Sequence, residues 1–290
     1  MIIDSHIHIG KEELLSPDIV AFFKQKNAWE DIREKISPEG VISALDRSGV
    51  DKGVIFPLTF MPTNGNWQAM NDMTADYVAL YPQRFIGFAI VNPKQVAESV
   101  KELERCRTQL GFKGVKLHPS MQEFFSNSES MFPVYQYCQD HHMPILFHTG
   151  ASLPSHSDKF SHPILLDDVA AKFPDLKMVI AHMGRPYYQD AALIMRKHVN
   201  IYADVCANQG RVGGTTLLEM ALTWLKIYAD GVKRLLFASD YPVFDPKRGL
   251  DDLDFIRKNR CLPNSNDPII SDEEYLAITE KNCTKILLDI

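Results

Sequence analysis

Short apolar runs of strand length recur along this chain between longer segments with helical periodicity. The runs are rich in Val, Ile, Leu and Phe, and most lack the apolar–polar alternation of a strand with one solvated face. Eight are predicted as strands, at residues 2–7, 53–56, 85–91, 114–117, 144–147, 178–181, 201–205 and 235–238. Strands covered on both faces are typical of a parallel sheet flanked by helices.

The segments between these runs predict helices. Ser37-Pro38 combines an N-cap with proline at the first helical position, and Gly49 ends that helix. Ser271 and Glu274 have the spacing of a capping box that starts a final helix. Further helices are predicted near residues 67–80, 95–110, 130–141, 164–172, 188–197, 215–229 and 250–258.

Eight strands that alternate with helices predict an α/β fold, a TIM (β/α)8 barrel with some distortion and extended βα loops. A doubly wound open sheet is the alternative. That fold usually carries a glycine-rich phosphate turn after its first strand, where this chain has His-Ile-His-Ile-Gly. Because no linker or break in composition divides the chain, residues 1–290 are predicted to form a single domain.

Charge and composition narrow the classes of partner. The formal net charge of −6 argues against a nucleic-acid partner, which requires clustered basic residues. No apolar run approaches 18 residues, and the amino terminus does not read as a signal peptide. The five cysteines are scattered without a Cys-x-x-Cys pair, as expected for free thiols in a reducing compartment. We therefore expect a cytoplasmic protein that acts on a small molecule.

In a barrel of this kind the chemistry lies at the carboxyl ends of the strands, so the residues that follow each apolar run are candidates. Five of the ten histidines stand there with one lysine and one aspartate: His6, His8, Lys116, His118, His148, His182 and Asp240. Side chains alternate along a strand, so His6 and His8 point to the same face. This concentration of histidines at one rim is stronger evidence for a functional site than the His-x-His pair alone.

The residue types at this rim indicate a metal site. Imidazole binds zinc and related divalent ions, and a bound ion can lower the pKa of water to about 7. Asp240 could bind the ion and take up a proton, and His182 could orient the water or polarise a carbonyl. Asp4 lies two residues before His6 on the same strand face and is a candidate partner for a ligand imidazole.

Lys116 admits two interpretations. In the preferred one it is a buried amine that pairs with Asp240 or with a substrate anion. In the other it is carbamylated and bridges two metal ions. Lys116, His118 and His182 are accordingly candidates for a second ion or for the substrate.

The phrases IDSHIHIG, GVKLHP, AHMGRP and ASDYP, with the closing EKNCTKILLDI, resemble in their order the motifs of the amidohydrolase superfamily. They are most similar to its amidohydrolase-related branch, whose members include aminocarboxymuconate-semialdehyde decarboxylase, resorcylate decarboxylase and pyrone-dicarboxylate lactonase. The resemblance spans nearly the whole chain and implies the barrel fold, but it does not specify a substrate.

The resemblance also implies roles for individual residues. A principal metal ion, usually zinc or manganese, would be bound by His6, His8, His148 and Asp240. His182 would contact the attacking water or the substrate. Lys116 stands where some members carry a bridging carbamylated lysine, so that one ion and two ions both remain open.

Two enzymatic functions compete. The first, which we expect, is a metal-dependent hydrolase that uses activated water on a lactone, amide or ester. The second is a metal-dependent, non-oxidative decarboxylase of a small unsaturated or aromatic acid. Arg185 and Arg211 could each clamp a substrate carboxylate, or form surface ion pairs instead. A barrel that only binds a ligand or serves as a scaffold is disfavoured, because every expected strand-end ligand is present.

Loops decide substrates on this fold. The candidates are residues 11–36, which carry Phe22, Phe23 and Trp29, and residues 58–67 and 151–162. The aromatic residues of the segment 11–36 would also suit a homodimer contact.

Overall fold

The computed structural model describes residues 1–58, 66–208 and 214–288. Within them, eight parallel strands pair in chain order. The strands are β1 Ile3–Ile9, β2 Lys52–Pro57, β3 Phe85–Ala89, β4 Gly114–Leu117, β5 Ile145–Phe147, β6 Met178–Ile180, β7 Ile201–Asp204 and β8 Leu235–Leu236. Each predicted apolar run is a strand, and the predicted TIM barrel is confirmed.

Helices follow the strands and cover the outside of the barrel. In the described part of the chain they are α1 Pro17–Gln25, α2 Trp29–Lys35, α3 Pro38–Ser48, α4 Gln68–Leu80, α5 Val96–Thr108, α6 Pro119–Gln122, α7 Phe132–Asp140, α8 Leu166–Lys172, α9 Tyr188–Lys197, α10 Thr216–Ala229, α11 Pro246–Asn259, α12 Asp272–Leu276 and α13 Asn282–Leu288. None of the described helices is long and apolar enough to cross a membrane.

The predicted N-cap residues mark the observed starts of two helices. The Ser37 hydroxyl accepts a hydrogen bond from the Gly40 amide, and both bonds of the predicted capping box at Ser271 are present. The segment 11–36, predicted as a loop, instead holds α1 and α2. α1 begins with Ser16-Pro17, the same kind of start as Ser37-Pro38. Ile19, Trp29 and Ile32 of these two helices are buried together. α11 likewise starts at Asp245-Pro246, earlier than predicted.

The final helix is not continuous. A π-turn at Ala277–Lys281 separates α12 from α13. Its cause is a competing donor: the Phe237 amide donates a hydrogen bond to the Ile278 carbonyl at 2.9 Å. The barrel therefore draws one carbonyl out of the helical ladder, which locally widens the helix.

The barrel closes between β1 and the segment that follows β8. The Ser5 amide donates to the Phe237 carbonyl at 3.0 Å, and the His8 amide donates to the Tyr241 carbonyl at 2.8 Å. Between these two bonds, the Asp240 amide donates to the His6 carbonyl at 3.0 Å. Closure thus brings the last predicted rim residue directly beside the first, although 234 positions separate them in sequence.

Apolar side chains fill the lower part of the barrel. Val54, Phe88, Leu146 and Leu236 are buried there, and Cys283 and Ile286 of α13 seal the amino-terminal end. A larger apolar layer lies between the strands and the outer helices. The clustered histidines lie at the opposite, carboxyl-terminal rim, where cavities of this fold carry their chemistry.

The turn after β5 gives a test of this packing. Gly150 has a φ of +78°, and a Cβ there would lie 1.8 Å from the Arg185 carbonyl oxygen; Gly111 has a φ of +70° with open space around it. We expect Gly111→Ala to cost roughly 1–2 kcal/mol through its φ alone. Gly150→Ala should cost about 1–3 kcal/mol more, because the backbone of the β6 turn must move. Urea unfolding of both variants measures the difference, and equal losses would contradict the assigned close approach.

Candidate active site

Three of the predicted rim residues meet at the closure of the barrel. The Nε2 atoms of His6 and His8 lie 3.3 Å apart on β1. Oδ1 of Asp240 lies 3.4 Å from His6 Nε2 and 3.2 Å from His8 Nε2. One ligand atom from each of the three falls within 4.8 Å of the other two, which suits a shared metal ion.

Two of the rim residues have an unusual backbone conformation. Asp240 has a φ of +66° and His182 a φ of +60°, in the left-handed region that costs a non-glycine residue roughly 1–2 kcal/mol. The hydrogen bond of the Asp240 amide to the His6 carbonyl fixes the first of these. Such conformations persist where the surrounding structure over-determines them, and they concentrate at functional sites.

The structure adds a residue that the sequence reasoning did not single out. Asp204, the last residue of β7, is fully buried, and its Oδ2 accepts a hydrogen bond from His6 Nδ1 at 2.9 Å. Its Oδ1 accepts from the His182 amide at 2.7 Å and from the Cys206 thiol at 2.8 Å. Burial raises its pKa to about 6, while these hydrogen bonds oppose the rise. A search for polar residues near the end of each predicted strand, which identified the other rim residues, would also have identified Asp204 in the run 201–205.

A chain of hydrogen bonds continues from Asp204 through Cys206. His182 Nδ1 lies 3.0 Å from Cys206 Sγ, and His182 Nε2 lies 3.1 Å from His148 Nδ1. Because the thiol proton goes to Asp204, we assign the His182 proton to Nδ1, where it is donated to sulfur. His148 Nδ1 then donates to His182 Nε2, so that His148 Nε2 keeps its lone pair.

These contacts leave a consistent set of metal-binding nitrogens. His6 donates through Nδ1 to Asp204, and Nδ1 of His8 lies 3.4 Å from the Pro57 carbonyl oxygen, so both present Nε2. His148 Nε2 is buried and has no hydrogen-bond partner among the described residues. Such an orphaned buried nitrogen is costly unless something binds it. The donor set therefore fits a divalent ion, although His148 lies outside the described group of His6, His8 and Asp240.

Burial favours the neutral form of four of the imidazoles at this rim. Burial, followed by the positive charge of Lys116, lowers the pKa of His6 well below its usual range. Burial also lowers the pKa of His118, His148 and His182. Neutral imidazole is the form that binds metals, so no proton must be displaced when an ion enters.

Lys116 is fully buried beneath the histidines. Its Nζ lies 3.3 Å from His6 Nε2 and 5.1 Å from the centre of the Phe56 ring. Burial lowers its pKa to about 8. Its nearest polar contact is thus a proposed metal ligand, rather than the Asp240 carboxylate considered from the sequence.

The remaining predicted residues are placed as follows. The ring of His118 stacks on His148 with centroids 3.8 Å apart. The Nη1 atom of Arg185 donates to the Ala207 carbonyl at 2.7 Å, which holds its guanidinium at the cavity wall. Asp4 contacts the His6 backbone amide at 3.2 Å, whereas the His6 ring is held by Asp204. Arg211 lies outside the described residues.

A cavity of about 240 Å³ opens above the rim. His8, His148, His182, Arg185 and Asp240 form its polar floor and wall. Its apolar walls come from all three predicted substrate loops: Ile19, Phe22, Phe23, Leu58 and Leu153, among others. Trp29 is not part of the wall, because it is buried between α1 and α2. A cavity below the roughly 300–1,000 Å³ of drug-sized sites suits a small ligand.

Comparisons with known proteins agree with this architecture. The sequence profile of the family described as Amidohydrolase matches residues 3–287. The chain is 23% identical over 260 residues to a 2-amino-3-carboxymuconate-6-semialdehyde decarboxylase of Dictyostelium discoideum, covering 76% of this chain and 69% of that protein. It is 25% identical over 288 residues to a gamma-resorcylate decarboxylase of Polaromonas sp., covering 81% and 86%. A solved dihydroxybenzoic acid decarboxylase from Polaromonas sp., with bound manganese and 2-nitroresorcinol, shares the fold with a TM-score of 0.74, 18% identity, and 99% and 96% coverage.

These relatives overturn the hydrolase prediction. The two relatives described above, each matched over more than three quarters of this chain, are decarboxylases, so hydrolysis of a lactone, amide or ester is the wrong primary prediction, and its decarboxylase alternative is the better supported one. The error has a physical source. The same histidines and aspartate could serve both chemistries, and the strand-end pattern does not reveal which substrate atoms the cavity presents to them.

The role of Asp204 yields a prediction for metal binding. The side chain in Asp204→Asn has a single acceptor oxygen. It therefore cannot accept hydrogen bonds both from His6 and from the pair His182 and Cys206. We expect a 10–100-fold weaker affinity for Mn²⁺, measured by calorimetry on the metal-free protein. Asp167→Asn is the matched control, because Asp167 accepts from His198 Nε2 at 2.7 Å away from the rim. An unchanged affinity in a folded Asp204→Asn protein would show that this carboxylate does not orient the site.

Proposed function

This chain belongs to the amidohydrolase family, and from that premise we propose that it is a metal-dependent, non-oxidative decarboxylase of a small aromatic or unsaturated carboxylic acid. The observation that carries the proposal is the similarity to two decarboxylases, and Asp240 would supply the acid that this reaction needs. Among the described residues that line the cavity it is the one carboxylate, and it stands beside His8 under apolar walls.

Decarboxylation requires a proton donor more than a water nucleophile. The carbon that bears the carboxylate takes up one proton, the C–C bond to the carboxylate breaks, and its electron pair returns to the ring or alkene as CO₂ leaves. Asp240 would deliver that proton from Oδ2, because Oδ1 is the oxygen that faces the Nε2 atoms of His6 and His8, and it would regain a proton from solvent afterwards. Its side chain is 14% exposed, so it reaches both the cavity and water.

The metal ligands follow from the donor set. We propose that His6, His8, His148 and Asp240 hold one divalent ion, manganese or zinc, which when bound supplies positive charge to the substrate oxygens. Asp204 would fix the orientation of the His6 ring. His182 would do the same for the His148 ring through the 3.1 Å hydrogen bond between His182 Nε2 and His148 Nδ1. Lys116 remains an uncarbamylated amine in this proposal.

The rest of the cavity would select and orient the acid. Arg185 is the one guanidinium among the described lining residues, and it can pair with a substrate carboxylate. Phe22, Phe23 and Leu58 would contact the flat apolar part of the substrate and exclude bulk water from the reacting carbon. The small volume favours monocyclic acids.

Replacement of Asp240 tests the proton transfer. Asp240→Asn keeps the shape and an oxygen ligand but cannot donate a carboxylic acid proton. We expect CO₂ release from gamma-resorcylate or a related hydroxybenzoate to fall at least about 100-fold. Asp245→Asn, an N-cap change on α11, serves as the control. Metal content is measured in parallel, and a near-normal rate in metal-loaded Asp240→Asn would refute the assigned role.

Removal of the ion tests the metal dependence. Treatment with a chelator followed by dialysis should abolish CO₂ release, and Mn²⁺ or Zn²⁺ should restore it at about one ion per chain by elemental analysis. Full activity of the metal-free protein would contradict the proposal. So would the absence of CO₂ release by metal-loaded enzyme from every acid in a panel of monocyclic hydroxybenzoates and unsaturated acids.

A further inference from the structure

The wall of the cavity contains a hydroxyl group that lacks a hydrogen bond. Ser152 lines this cavity in the segment after β5. Its Oγ atom is buried, and it has no hydrogen-bond partner among the described residues. Such an atom has lost its contact with water without compensation, and in native structures that condition calls for an explanation. A bound ligand that hydrogen bonds to Ser152 would supply one.

Nearby hydroxyl groups do find partners within the protein. Thr149 Oγ1 donates to the Ala181 carbonyl at 2.6 Å, and the hydroxyl groups of Ser120 and Ser161 bond to each other. None of these three hydroxyl-bearing residues lines the cavity, whereas Ser152 does. Among these hydroxyl groups, the missing partner is therefore specific to the one that belongs to the cavity wall.

Hydrogen bonds hold the backbone of Ser152 in place. The Ala151 amide donates to the Arg185 carbonyl at 3.0 Å, and the Ser152 amide donates to Asp158 Oδ1 at 2.9 Å. With these amides fixed, the hydroxyl keeps only the rotation about its Cα–Cβ bond, which has a small set of staggered positions. Such a rotation is enough to turn the hydroxyl from the wall toward a ligand in the cavity.

Ser152 lies on the side of the cavity away from the metal ligands. His148 follows β5 directly and contributes to the polar floor, whereas Ser152 stands further along the chain. Its neighbour Leu153 packs against the buried cluster of α1 and α2, which includes the cavity-lining Ile19. The Ser152 hydroxyl would therefore meet the end of a ligand that is remote from the metal ion.

Charge around Ser152 favours a neutral partner. The Asp158 carboxylate, which accepts from the Ser152 amide, adds negative charge to the same turn and would repel a second substrate carboxylate there. A hydroxyl substituent carries no charge, and it can both donate to and accept from the serine hydroxyl. The carboxylate of the acid would instead lie toward the metal ligands and Arg185, where positive charge is available.

We propose that Ser152 is a specificity-determining residue that hydrogen bonds to a hydroxyl substituent at the end of the acid remote from its carboxylate. The inference rests on the proposed decarboxylase function and specifies which acids the cavity prefers. An acid without that substituent leaves the Ser152 hydroxyl unpaired in a filled cavity, so it binds less tightly. A hydroxyl next to the carboxylate lies at the floor, out of reach of Ser152.

Calorimetric binding to the Mn²⁺-loaded protein tests this assignment. The ligands are benzoate, salicylate, meta-hydroxybenzoate and para-hydroxybenzoate, and the proteins are the wild type and Ser152→Ala. We expect the meta or the para isomer to bind the wild type about 5–30-fold more tightly than benzoate. That advantage should fall to about twofold or less in Ser152→Ala. Any advantage of salicylate, whose hydroxyl is next to the carboxylate, should be retained.

Ser155→Ala is the matched control, because Ser155 is exposed in the same segment with its hydroxyl 3.1 Å from His156 Nδ1. It should bind all four acids as the wild type does. An unchanged preference in Ser152→Ala, equal losses for all four acids, a loss confined to salicylate, or no binding of any of them would overturn the proposal. So would isophthalate or terephthalate binding more tightly than the hydroxy acids through Ser152. Because binding is measured directly, a failure to release CO₂ counts against the proposed function alone.

Urea unfolding without ligand gives an independent check. Ser152→Ala should unfold at the same urea concentration as the wild type or at a slightly higher one, because the hydroxyl that it removes has no partner among the described residues. Thr149→Val should unfold at a lower concentration, since it deletes the hydrogen bond to the Ala181 carbonyl. A comparable loss in Ser152→Ala would show that this hydroxyl is already bonded within the chain, and the proposal would then be wrong.

Discussion

The carboxylate of Asp204 is the interaction on which the rest of the site depends. A fully buried charge is tolerated only when its lone pairs are filled, and this one accepts from the His6 ring, the His182 amide and the Cys206 thiol. Those donors belong to β1, to the turn after β6 and to the segment after β7. One desolvated group thereby ties together β1 and the segments after β6 and β7, and its bond to Nδ1 decides that the His6 ring presents Nε2 to the cluster.

Closure of the barrel supplies the other half of the site. The short β8 pairs weakly by itself, but the residues after it bond to β1 and carry Asp240 to the two histidines of that strand. The left-handed backbone at Asp240 and at His182 shows that local preference is overruled where the chain leaves the barrel. Burial also lowers the pKa of His6, His148 and His182, which favours the neutral form that a metal ion binds.

The distinction between hydrolysis and decarboxylation lies above this rim. Both reactions could use the same nitrogens and the same carboxylate, and they differ in whether the cavity presents a carbonyl to water or a ring carbon to an acid. The described walls, from α1 and from Leu58 and Leu153, are largely apolar. An apolar wall does not by itself distinguish the two substrates, so the residue pattern could not exclude the wrong reaction.

The spacing of apolar residues and the residues at the predicted strand ends were enough to predict the fold and most residues of the rim. Strands covered on both faces read as apolar runs, and parallel strands put their carboxyl ends at one edge, so His6, His8, His148, His182 and Asp240 could be predicted to share a site. Cap residues determined several helix starts for the same reason, since an N-cap acts within one turn. Tertiary structure decided what no local pattern encodes: the pairing of His6 with Asp204 across 198 residues, the π-turn drawn open by Phe237, and the helices within residues 11–36. Each arises because a polar or apolar group finds its partner on a distant segment, and such partners exist only once the barrel has closed.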